Sequence, residues 1–317
     1  MSRYLITGIA GFVGSNIARA LLAGGASVCG VDNFVTGKRA NLEDLGGIDF
    51  IEGTIEDPET CARACRGVQY IFHEAALASV PRSVADPAAS NSANVDGTLR
   101  LLIAAREAGV RRVVYAGSSS CYGDQPTLPK HEQMVPDPIS PYAVSKLAGE
   151  HYMRSFTRVY GLETVIIRYF NVFGPHQDPS SQYSGVLAKF SLAMLEGRTP
   201  VIFGDGTQSR DFTYIENVVD ANLRIMQAPA ARVSGETFNV ATGEQITLNE
   251  AVRCLRELTG YTGPVENAPP RAGDIAHSLA DISRAREAFG YEPRVKFNEG
   301  LRRTLQWYRG QTPKAGL

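Results

Sequence analysis

The sequence lacks the patterns that mark disulfide-linked, metal-binding and membrane-spanning proteins. Its five cysteines are odd in number and include no CxxC pair, as is typical of a reduced intracellular protein. Its five histidines show no HExxH or comparable ligand spacing, so we expect no metal site. The longest apolar runs are too short to cross a bilayer, and no signal peptide precedes the first strand-like run. We therefore expect a cytoplasmic protein with no membrane partner.

The sequence also lacks an excess of charge of either sign. Lysine and arginine together number 32 and aspartate and glutamate 33, which gives a formal net charge of -1. No basic run is present, so the sequence predicts no nucleic-acid partner, and any anionic ligand must be held by a local site. With 317 residues, 44% of them hydrophobic by residue type, the chain is long enough for a large core and two lobes.

What the sequence does contain is an alternation of short apolar runs with longer amphipathic ones. Runs rich in Val, Ile, Tyr and Phe predict strands in RYLITG, ASVCGVD, IDFIEG, VQYIFHEAA, RRVVYAGSSS and ETVIIRYFNVFG. The segments between them predict helices in GSNIARALLAGG, DPETCARACRG, NVDGTLRLLIAAREAG and YAVSKLAGEHYMRSFTRVYG. Such alternation predicts an α/β fold with a Rossmann-type, doubly wound parallel sheet covered by helices on both faces.

The rhythm changes after Asn171. Gly, Pro, Gln, Asp and Ser crowd GPHQDPSSQYSG, and later segments predict helices in VLAKFSLAMLEG and NEAVRCLRELTG and strands in PVIFG and GETFNVATG. We expect residues 1–170, with 212–242 returning to them, to form the sheet domain. Residues 171–211 and 243–317 would then form a smaller α/β lobe.

Three glycines follow the first predicted strand, in TGIAGFVG. Gly8, Gly11 and Gly14 let the backbone approach a pyrophosphate closely, and the next helix offers free N–H groups and the positive end of its dipole. The second strand ends at Asp32, where an acid binds the adenosine ribose hydroxyls and repels a 2′-phosphate. A glycine triplet alone also fits a plain tight turn. Strand, helix and acid together predict an NAD site and favour NAD over NADP.

A tyrosine and a lysine lie one helical turn apart in SPYAVSK, so Tyr142 and Lys146 share a helix face. A free tyrosine has a pKa of about 10, which an adjacent ammonium and a positive nicotinamide ring would each lower. Tyr142 would then serve as a base, and Ser118, at the end of an earlier strand, would hydrogen-bond the same substrate oxygen. The alternative is an ordinary helix start at Pro141 with Lys146 in water; the glycine turn favours the functional interpretation.

TGIAGFVG, the triple serine before CYGD, SPYAVSK and RYFNVFGP together resemble the extended short-chain dehydrogenase/reductase superfamily, particularly its nucleotide-sugar 4-epimerases. Further segments, among them ALASVPRS and SRDFTYIENVV, are most similar to bacterial UDP-N-acetylglucosamine 4-epimerases. The resemblance runs from Arg3 to about Trp307. It implies tightly bound NAD in the sheet domain, a UDP-sugar substrate in the smaller lobe, and a homodimer formed through a four-helix bundle.

The resemblance also implies roles for individual residues. It assigns catalysis to Ser118, Ser119, Tyr142 and Lys146. It assigns NAD binding to Gly8, Gly11, Phe12, Val13, Gly14, Asp32, Asn33, Thr36, Gly37, Thr54, Ile55, Ala75, Ala76, Asn94, Tyr142, Lys146, Tyr169 and Val172. It assigns substrate binding to Ser79, Arg82, Ser118, Ser120, Tyr142, Asn171, Val186, Lys189, Val201, Phe203, Arg210, Arg271, Asp274 and Ser278. Thr54 and Glu74 depart from the family pattern, Thr54 where many relatives have an aspartate beside adenine.

Two serines narrow the chemistry within the family. Dehydratases and decarboxylases of the superfamily carry acids just after the catalytic serine, whereas Ser119 and Ser120 stand there in this chain. Without an acid for elimination, a 4-keto sugar can only rotate and take the hydride back on its other face, which is epimerisation. A non-catalytic NAD-binding regulator is the alternative from another class, and the intact tyrosine, lysine and serine disfavour it.

Ser278 bears on which sugar is used. It aligns with a gate that is tyrosine in epimerases restricted to plain hexoses, so its small side chain leaves room for an acetamido group. We therefore expect UDP-N-acetylglucosamine and UDP-N-acetylgalactosamine as the substrate pair. A small gate also admits smaller sugars, so UDP-glucose, or UDP-glucuronate with its carboxylate near Arg82, stays open as an alternative.

Overall fold

A computed structural model describes residues 2–179, 185–270 and 275–311 of the chain. Its strands are β1 (Arg3–Thr7), β2 (Ser27–Asp32), β3 (Asp49–Glu52), β4 (Tyr70–His73), β5 (Arg112–Ser118), β6 (Glu163–Tyr169), β7 (Val172–Phe173), β8 (Val201–Phe203), β9 (Ser209–Arg210), β10 (Thr213–Tyr214), β11 (Thr237–Val240), β12 (Ile246–Thr247) and β13 (Glu266–Ala268).

Helices separate most of these strands. They are α1 (Phe12–Ala23), α2 (Pro58–Cys65), α3 (Val80–Ala85), α4 (Pro87–Asn91), α5 (Gly97–Glu107), α6 (Pro141–Tyr160), α7 (Val186–Leu195), α8 (Ile215–Gln227), α9 (Ala230–Val233), α10 (Leu248–Thr259), α11 (Ser283–Phe289) and α12 (Phe297–Gln311). A π-helical segment, Ser92–Asp96, leads into α5, and short 3-10 helices cover Arg39–Asn41 and Ser119–Tyr122.

Seven strands form one parallel sheet in the order β11-β6-β5-β4-β1-β2-β3. The order reverses beside β1, which pairs with β2 on one side and β4 on the other. In such sheets ligands bind at the carboxyl ends of the strands, at the point where the order reverses. This sheet confirms the predicted doubly wound fold and locates the edge where a site is expected.

The sheet is stabilised by apolar side chains on both faces. The middle of β5, from Val113 to Tyr115, and the middle of β6, from Val165 to Ile167, are fully buried. One buried cluster includes Ile17 of α1 and packs on one face of the sheet; the other includes Leu101 of α5. Parallel strands buried on both faces give the continuous apolar runs that the sequence shows.

The polypeptide after Asn171 forms smaller pairings. β7 pairs with β10, β8 with β13, and β9 with β12 in the antiparallel sense. The predicted helices in this region are present as α7 and α10, whereas α8 and α12 were not predicted. β11 returns to the edge of the main sheet beside β6. Within the described ranges, no helix is both long enough and apolar enough to cross a membrane.

Candidate active site

The glycine turn lies between β1 and α1. Gly8 has a φ of +70°, and a Cβ at Gly14 would lie 2.3 Å from the carbonyl oxygen of Gly8. Gly11 is the N-cap of α1 and supplies no side-chain hydrogen bond to the helix. The first amides of α1 therefore have no side-chain cap, and with the helix dipole they favour an anion such as a pyrophosphate.

Asp32 ends β2 beside this turn. Its carboxylate accepts hydrogen bonds from the backbone N–H groups of Ala10 at 2.9 Å and Phe34 at 2.8 Å. Burial raises the pKa of Asp32, and the backbone N–H donors oppose that shift. A Cβ at Gly37 would lie 2.8 Å from one carboxylate oxygen, so glycine is required for the loop to pass close to the acid. The carboxylate is thus fixed where an adenosine ribose would lie.

A cleft of about 660 Å³ runs along the carboxyl edge of the sheet. The predicted NAD- and substrate-binding residues in its wall are Gly8, Gly11, Phe12, Val13, Gly14, Thr36, Gly37, Ala76, Ser79, Arg82, Tyr142, Lys146 and Tyr169. A smaller adjoining cavity of about 90 Å³ is lined by further predicted residues, among them Asp32, Asn33, Thr54, Ile55 and Ala75. The uncapped helix, the fixed acid and this lining fit a dinucleotide.

Tyr142 lies in the first turn of α6. The helix begins there because Ser140 caps it, accepting from the N–H of Ala143 at 3.2 Å, and Pro141 occupies its first position. Ser118, at the end of β5, hydrogen-bonds the hydroxyl of Ser120 at 2.8 Å, and its hydroxyl acts to lower the pKa of the Tyr142 phenol. Lys146, one turn later, is 2% exposed, with its ammonium 4.2 Å from the ring centroid of Tyr115. Two of the four predicted catalytic residues, Tyr142 and Lys146, line the cleft, and Ser118 lies at the end of the strand, directly after Ala116 and Gly117 of the cleft wall.

The protonation of this group differs from the sequence-based expectation. Burial raises the pKa of Tyr142 to about 12, although the hydroxyl of Ser118 opposes the shift. Burial lowers the pKa of Lys146 to about 8. Lys146 was expected to make the phenol acidic, and in the protein by itself it does not, because desolvation of the phenolate is the larger effect. A further positive charge is needed before Tyr142 can act as a base near neutral pH.

The side chain of Asn94 links the segment before α3 to the helix α6 by hydrogen bonds. Its side chain accepts from the N–H of Leu77 at 2.7 Å and donates to the hydroxyl of Ser145 at 2.9 Å. Ser145 in turn donates to the carbonyl of Tyr142 at 2.8 Å. Asn94 is 1% exposed and lies outside the cleft lining, so its predicted contact with the cofactor stays a prediction.

Sequence reasoning missed Ser83, which accepts from the N–H of Tyr142 at 3.0 Å. It also missed four polar residues that line the cleft: Lys38, Glu74, Gln177 and Asp178. The signal for Glu74 was available, because a carboxyl directly after a buried strand at the switch point faces the ligand edge.

The predicted substrate residues are more widely spread. The amide of Asn171 donates to the hydroxyl of Ser278 at 3.4 Å, and Arg210, on β9, donates to the carbonyls of Ser209 and Ala276. Ser119 and Ser120 lie in the 3-10 helix after β5. The other predicted substrate residues are Val186 and Lys189 on α7 and Val201 and Phe203 on β8, and Val172, predicted to bind NAD, lies on β7.

A second cavity of about 750 Å³ is lined by residues from the part of the chain after Asn171. Phe203 is in its wall, together with Gln208, Asn267 and His277. The predicted residues Arg271 and Asp274 lie outside the described part of the chain.

Known proteins are similar to this chain in both sequence and fold. A UDP-glucose 4-epimerase of Mycolicibacterium smegmatis is 42% identical to this chain, over 98% of this chain and 99% of the relative. The crystal structure of a UDP-glucose 4-epimerase of Thermotoga maritima with UDP-glucose is similar at a TM-score of 0.93 and 39% identity, over 97% of this chain and 99% of that one. A UDP-N-acetylglucosamine 4-epimerase of Methanobrevibacter ruminantium in complex with UDP-N-acetylmuramic acid gives a TM-score of 0.92 and 39% identity, over 98% and 99%.

The family match covers the part of the chain that builds the cleft. Residues 4–241 match the NAD dependent epimerase/dehydratase family, a span that includes the glycine turn, Asp32, Ser118, Tyr142 and Lys146. Since the cleft has the features of a dinucleotide site, and these relatives match along nearly their whole length, the chain belongs to the NAD-dependent epimerase/dehydratase family.

Proposed function

We propose that this protein is an isomerase that interconverts UDP-sugars at carbon 4. The observation that carries the proposal is the position of Tyr142 and Lys146, one helical turn apart in the wall of a cleft that fits NAD. The relatives named above include 4-epimerases of UDP-glucose and of UDP-N-acetylglucosamine. The serines at positions 119 and 120 leave no acid there for an elimination.

We propose a role for each side chain. Bound NAD would supply the acceptor, and then the donor, for the hydride of carbon 4. Tyr142 removes the proton from the O4 hydroxyl, and Ser118 hydrogen-bonds the same oxygen as it becomes a carbonyl. Lys146 supplies positive charge and binds a ribose hydroxyl of the cofactor. After the 4-keto hexose rotates in the cleft to present its other face, Tyr142 returns its proton to O4.

The pKa of Tyr142 fits this scheme only with the cofactor in place. Burial raises that pKa to about 12 in the protein alone. An oxidised nicotinamide carries a positive charge, and a close opposite charge lowers a pKa by roughly one to three units. We infer that bound oxidised cofactor lowers the pKa of Tyr142 and so makes it a stronger candidate for the base, whereas the enzyme without cofactor holds the phenol protonated.

We propose an N-acetylated hexose as the preferred sugar. Ser278, the gate residue that the family resemblance indicates, has a small side chain that is 8% exposed and accepts a hydrogen bond from Asn171. A relative that acts on UDP-N-acetylglucosamine supports this choice. The alternative, UDP-glucose and UDP-galactose, is supported by the relative at 42% identity. UDP-glucuronate, paired with Arg82 in the cleft wall, is a further alternative.

We also propose a homodimer formed through α5 and α6. Both helices carry exposed apolar side chains: Ile103 on α5, and Val144, Val159 and Tyr160 on α6. Two copies of this helix pair would form a four-helix bundle that buries those side chains. The division into an NAD-binding part (1–170 with 212–242) and a UDP-sugar-binding part (171–211 with 243–317) stays a proposal, as does a cytoplasmic location.

Replacing Tyr142 with phenylalanine tests the chemistry. A positioned acid–base group contributes about 10²- to 10⁴-fold, so Tyr142→Phe should lower kcat for UDP-sugar epimerisation by about a thousandfold. Bound NAD per protein should stay close to that of the parent. Tyr152→Phe, on the same helix and outside the cleft lining, is the matched control and should keep kcat. A folded, NAD-loaded Tyr142→Phe enzyme as fast as the parent would refute the proposal.

Replacing Ser278 with tyrosine tests the sugar. The larger side chain should abolish turnover of UDP-N-acetylglucosamine while sparing UDP-glucose, because the lost space is that of the acetamido group. The measurement is kcat/KM for each sugar, with C4 epimers separated by chromatography. Equal loss of both activities would refute the hypothesis that the side chain at position 278 selects for the acetamido group. A parent enzyme that uses UDP-glucose at least as efficiently would refute the acetylated preference.

A further inference from the structure

Glu74 is one of the polar residues in the cleft wall to which the scheme above gives no role. It directly follows β4, at the point where the strand order reverses. One of its carboxylate oxygens accepts a hydrogen bond from the phenol of Tyr169 at 2.9 Å. The amide of Asn222, on α8, donates to that phenol oxygen at 2.8 Å. The carboxyl group is therefore held in one place rather than free in solvent.

Glu74 lies in the wall of the same cleft as the proposed reacting groups. It lines the cleft together with Tyr142 and Lys146, and it also lines the adjoining cavity beside Asp32. Among the described residues its contact is the hydrogen bond from Tyr169, with no ion pair to a lysine or arginine. A carboxylate in a cleft wall without a paired cation is costly, and such groups are concentrated at functional sites.

A negative charge at this end of the cleft acts on the cofactor. The oxidised nicotinamide ring is a cation and the reduced ring is neutral, so a nearby carboxylate stabilises the oxidised form. An epimerase must return its hydride in every turnover. An enzyme left with reduced cofactor after the 4-keto sugar escapes would be inactive. A group that disfavours the reduced cofactor therefore helps to keep the enzyme active.

We propose that the carboxylate of Glu74 sets the redox balance of the bound cofactor, favouring the oxidised form and hence the return of hydride over the loss of keto sugar. Glu74 exchanges no atoms: the hydride still passes between carbon 4 and the cofactor, and the O4 proton still goes to Tyr142. This inference rests on the proposed function, because it places the nicotinamide near Tyr142 and Lys146.

The charge of Glu74 depends on pH. Burial raises its pKa to about 7, and the hydrogen bond from Tyr169 and the charge of Lys146 oppose that rise. The ionisable groups that face it are Tyr142 and Lys146 from α6 and Tyr169 from β6. His73, the preceding residue, has its pKa lowered to about 3 by burial and stays neutral. The effect of Glu74 should therefore be present above about pH 7 and fade below it.

The test is the redox potential of the bound cofactor, measured without any sugar. NAD-loaded parent and Glu74→Gln proteins are equilibrated with redox dyes of known potential, and the nicotinamide absorbance gives the reduced fraction. Glutamine keeps the size and an acceptor for Tyr169 but removes the charge. At alkaline pH the variant should show roughly a tenfold higher ratio of reduced to oxidised cofactor, which for a two-electron couple is about 30 mV.

The pH series and one further variant complete the test. The difference between parent and Glu74→Gln should shrink as pH falls below about 7, where the parent carboxylate is protonated. Glu74→Asp keeps the charge and should stay near the parent. If Glu74→Gln does not fold, the parent alone should still show an inflection near pH 7 beyond the slope of free NAD.

Equal potentials for parent and Glu74→Gln at every pH, or no inflection in the parent, would overturn the inference. That result is distinguishable from failure of the proposed function, since the potential is read without turnover. A shifted potential with no epimerisation of any UDP-sugar would leave the charge effect intact and refute the assigned reaction.

Discussion

The cofactor edge and the smaller lobe are built by different means. At the cofactor edge, residues near one another in the chain make the site: Gly8 and Gly14 pack within one turn, and Asp32 accepts from Phe34 two residues later. In the lobe, short strands of two or three residues pair across long stretches of chain, such as β9 with β12 and β8 with β13. Local geometry builds the first region, and long-range contacts build the second.

One buried carboxylate shows how the lobe is assembled. Asp211, fully buried after β9, accepts hydrogen bonds from the N–H groups of Thr242 at 2.9 Å and Gly243 at 3.0 Å. It also accepts from the Thr242 hydroxyl at 2.6 Å and from the N–H of Ala280 at 3.3 Å. Three segments far apart in sequence therefore depend on one side chain, whereas the cofactor edge depends on backbone shape.

The largest expected effect is the loss of that carboxylate. Asp211→Ala leaves the buried N–H groups of Thr242 and Ala280 without this acceptor, each costing about 1–3 kcal/mol, so we expect roughly 4 kcal/mol of lost stability. Urea unfolding with saturating NAD measures it. Asp205→Ala, an exposed carboxylate in the same lobe, is the control and should leave the midpoint nearly unchanged. Equal midpoints for the two variants would show that the lobe does not depend on Asp211.

At the cofactor edge, a substitution that creates a clash with the backbone should be destabilising. A Cβ at Gly14 would lie 2.3 Å from the Gly8 carbonyl oxygen, so Gly14→Ala must shift the turn. We expect a loss of about 1–3 kcal/mol, as for an overpacked core, together with loss of bound NAD. Thermal unfolding and the NAD released on denaturation are the measurements. Gly46→Ala, where an added Cβ meets nothing within 4 Å, is the matched control. Normal NAD content in Gly14→Ala would contradict the role of the turn.

The same contrast explains what the sequence could predict. Strands β2, β4, β5 and β6 appear as largely buried apolar runs, and the start of α6 follows from Ser140 and Pro141. Each of these features depends on residues close together in the chain. The catalytic side chains then meet because parallel strands end at one edge of the sheet.

The remaining features depend on distant partners. The contact between Glu74 and Tyr169 joins residues 95 positions apart, and strands as short as β9 carry too few residues for a periodic pattern. The pKa of Tyr142 could not be predicted either, because burial outweighs its charged neighbour and burial depends on the whole fold. In contrast, α8 was missed although its apolar residues recur at helical spacing.

A smaller effect should appear at the cofactor edge as the pH falls. His73 is fully buried between Thr7 at 2.8 Å and Thr98 at 2.9 Å, and burial lowers its pKa to about 3. The unfolded chain binds a proton at about pH 6.5 and the folded protein does not, so this contribution is complete above that pH and is lost as the pH falls.

Between about pH 6 and pH 4, this histidine alone should cost about 1.4 kcal/mol of stability per pH unit. His73→Gln is expected to be less stable than the parent at neutral pH, because its neighbours lose hydrogen bonds. The gap should narrow in acid, since the variant has no proton to gain at this position. Unfolding free energies of both proteins across this range provide the measurement, and a constant gap would contradict the assignment.

The smallest effect lies where the two regions meet. Lys38, from the loop after β2, and Asp178, after β7, form an ion pair of 2.8 Å across the cleft, with side chains 48% and 26% exposed. Because such partly exposed pairs contribute about 0.2–1 kcal/mol, a double-mutant cycle with Lys38→Ala and Asp178→Ala should give a coupling below about 1 kcal/mol in stability. Added salt should reduce that coupling further. A coupling energy well above this range would mean that the ion pair at the mouth of the cleft holds the two regions together. The two regions would then not be stabilised separately, one by its backbone shape and the other by the buried carboxylate of Asp211.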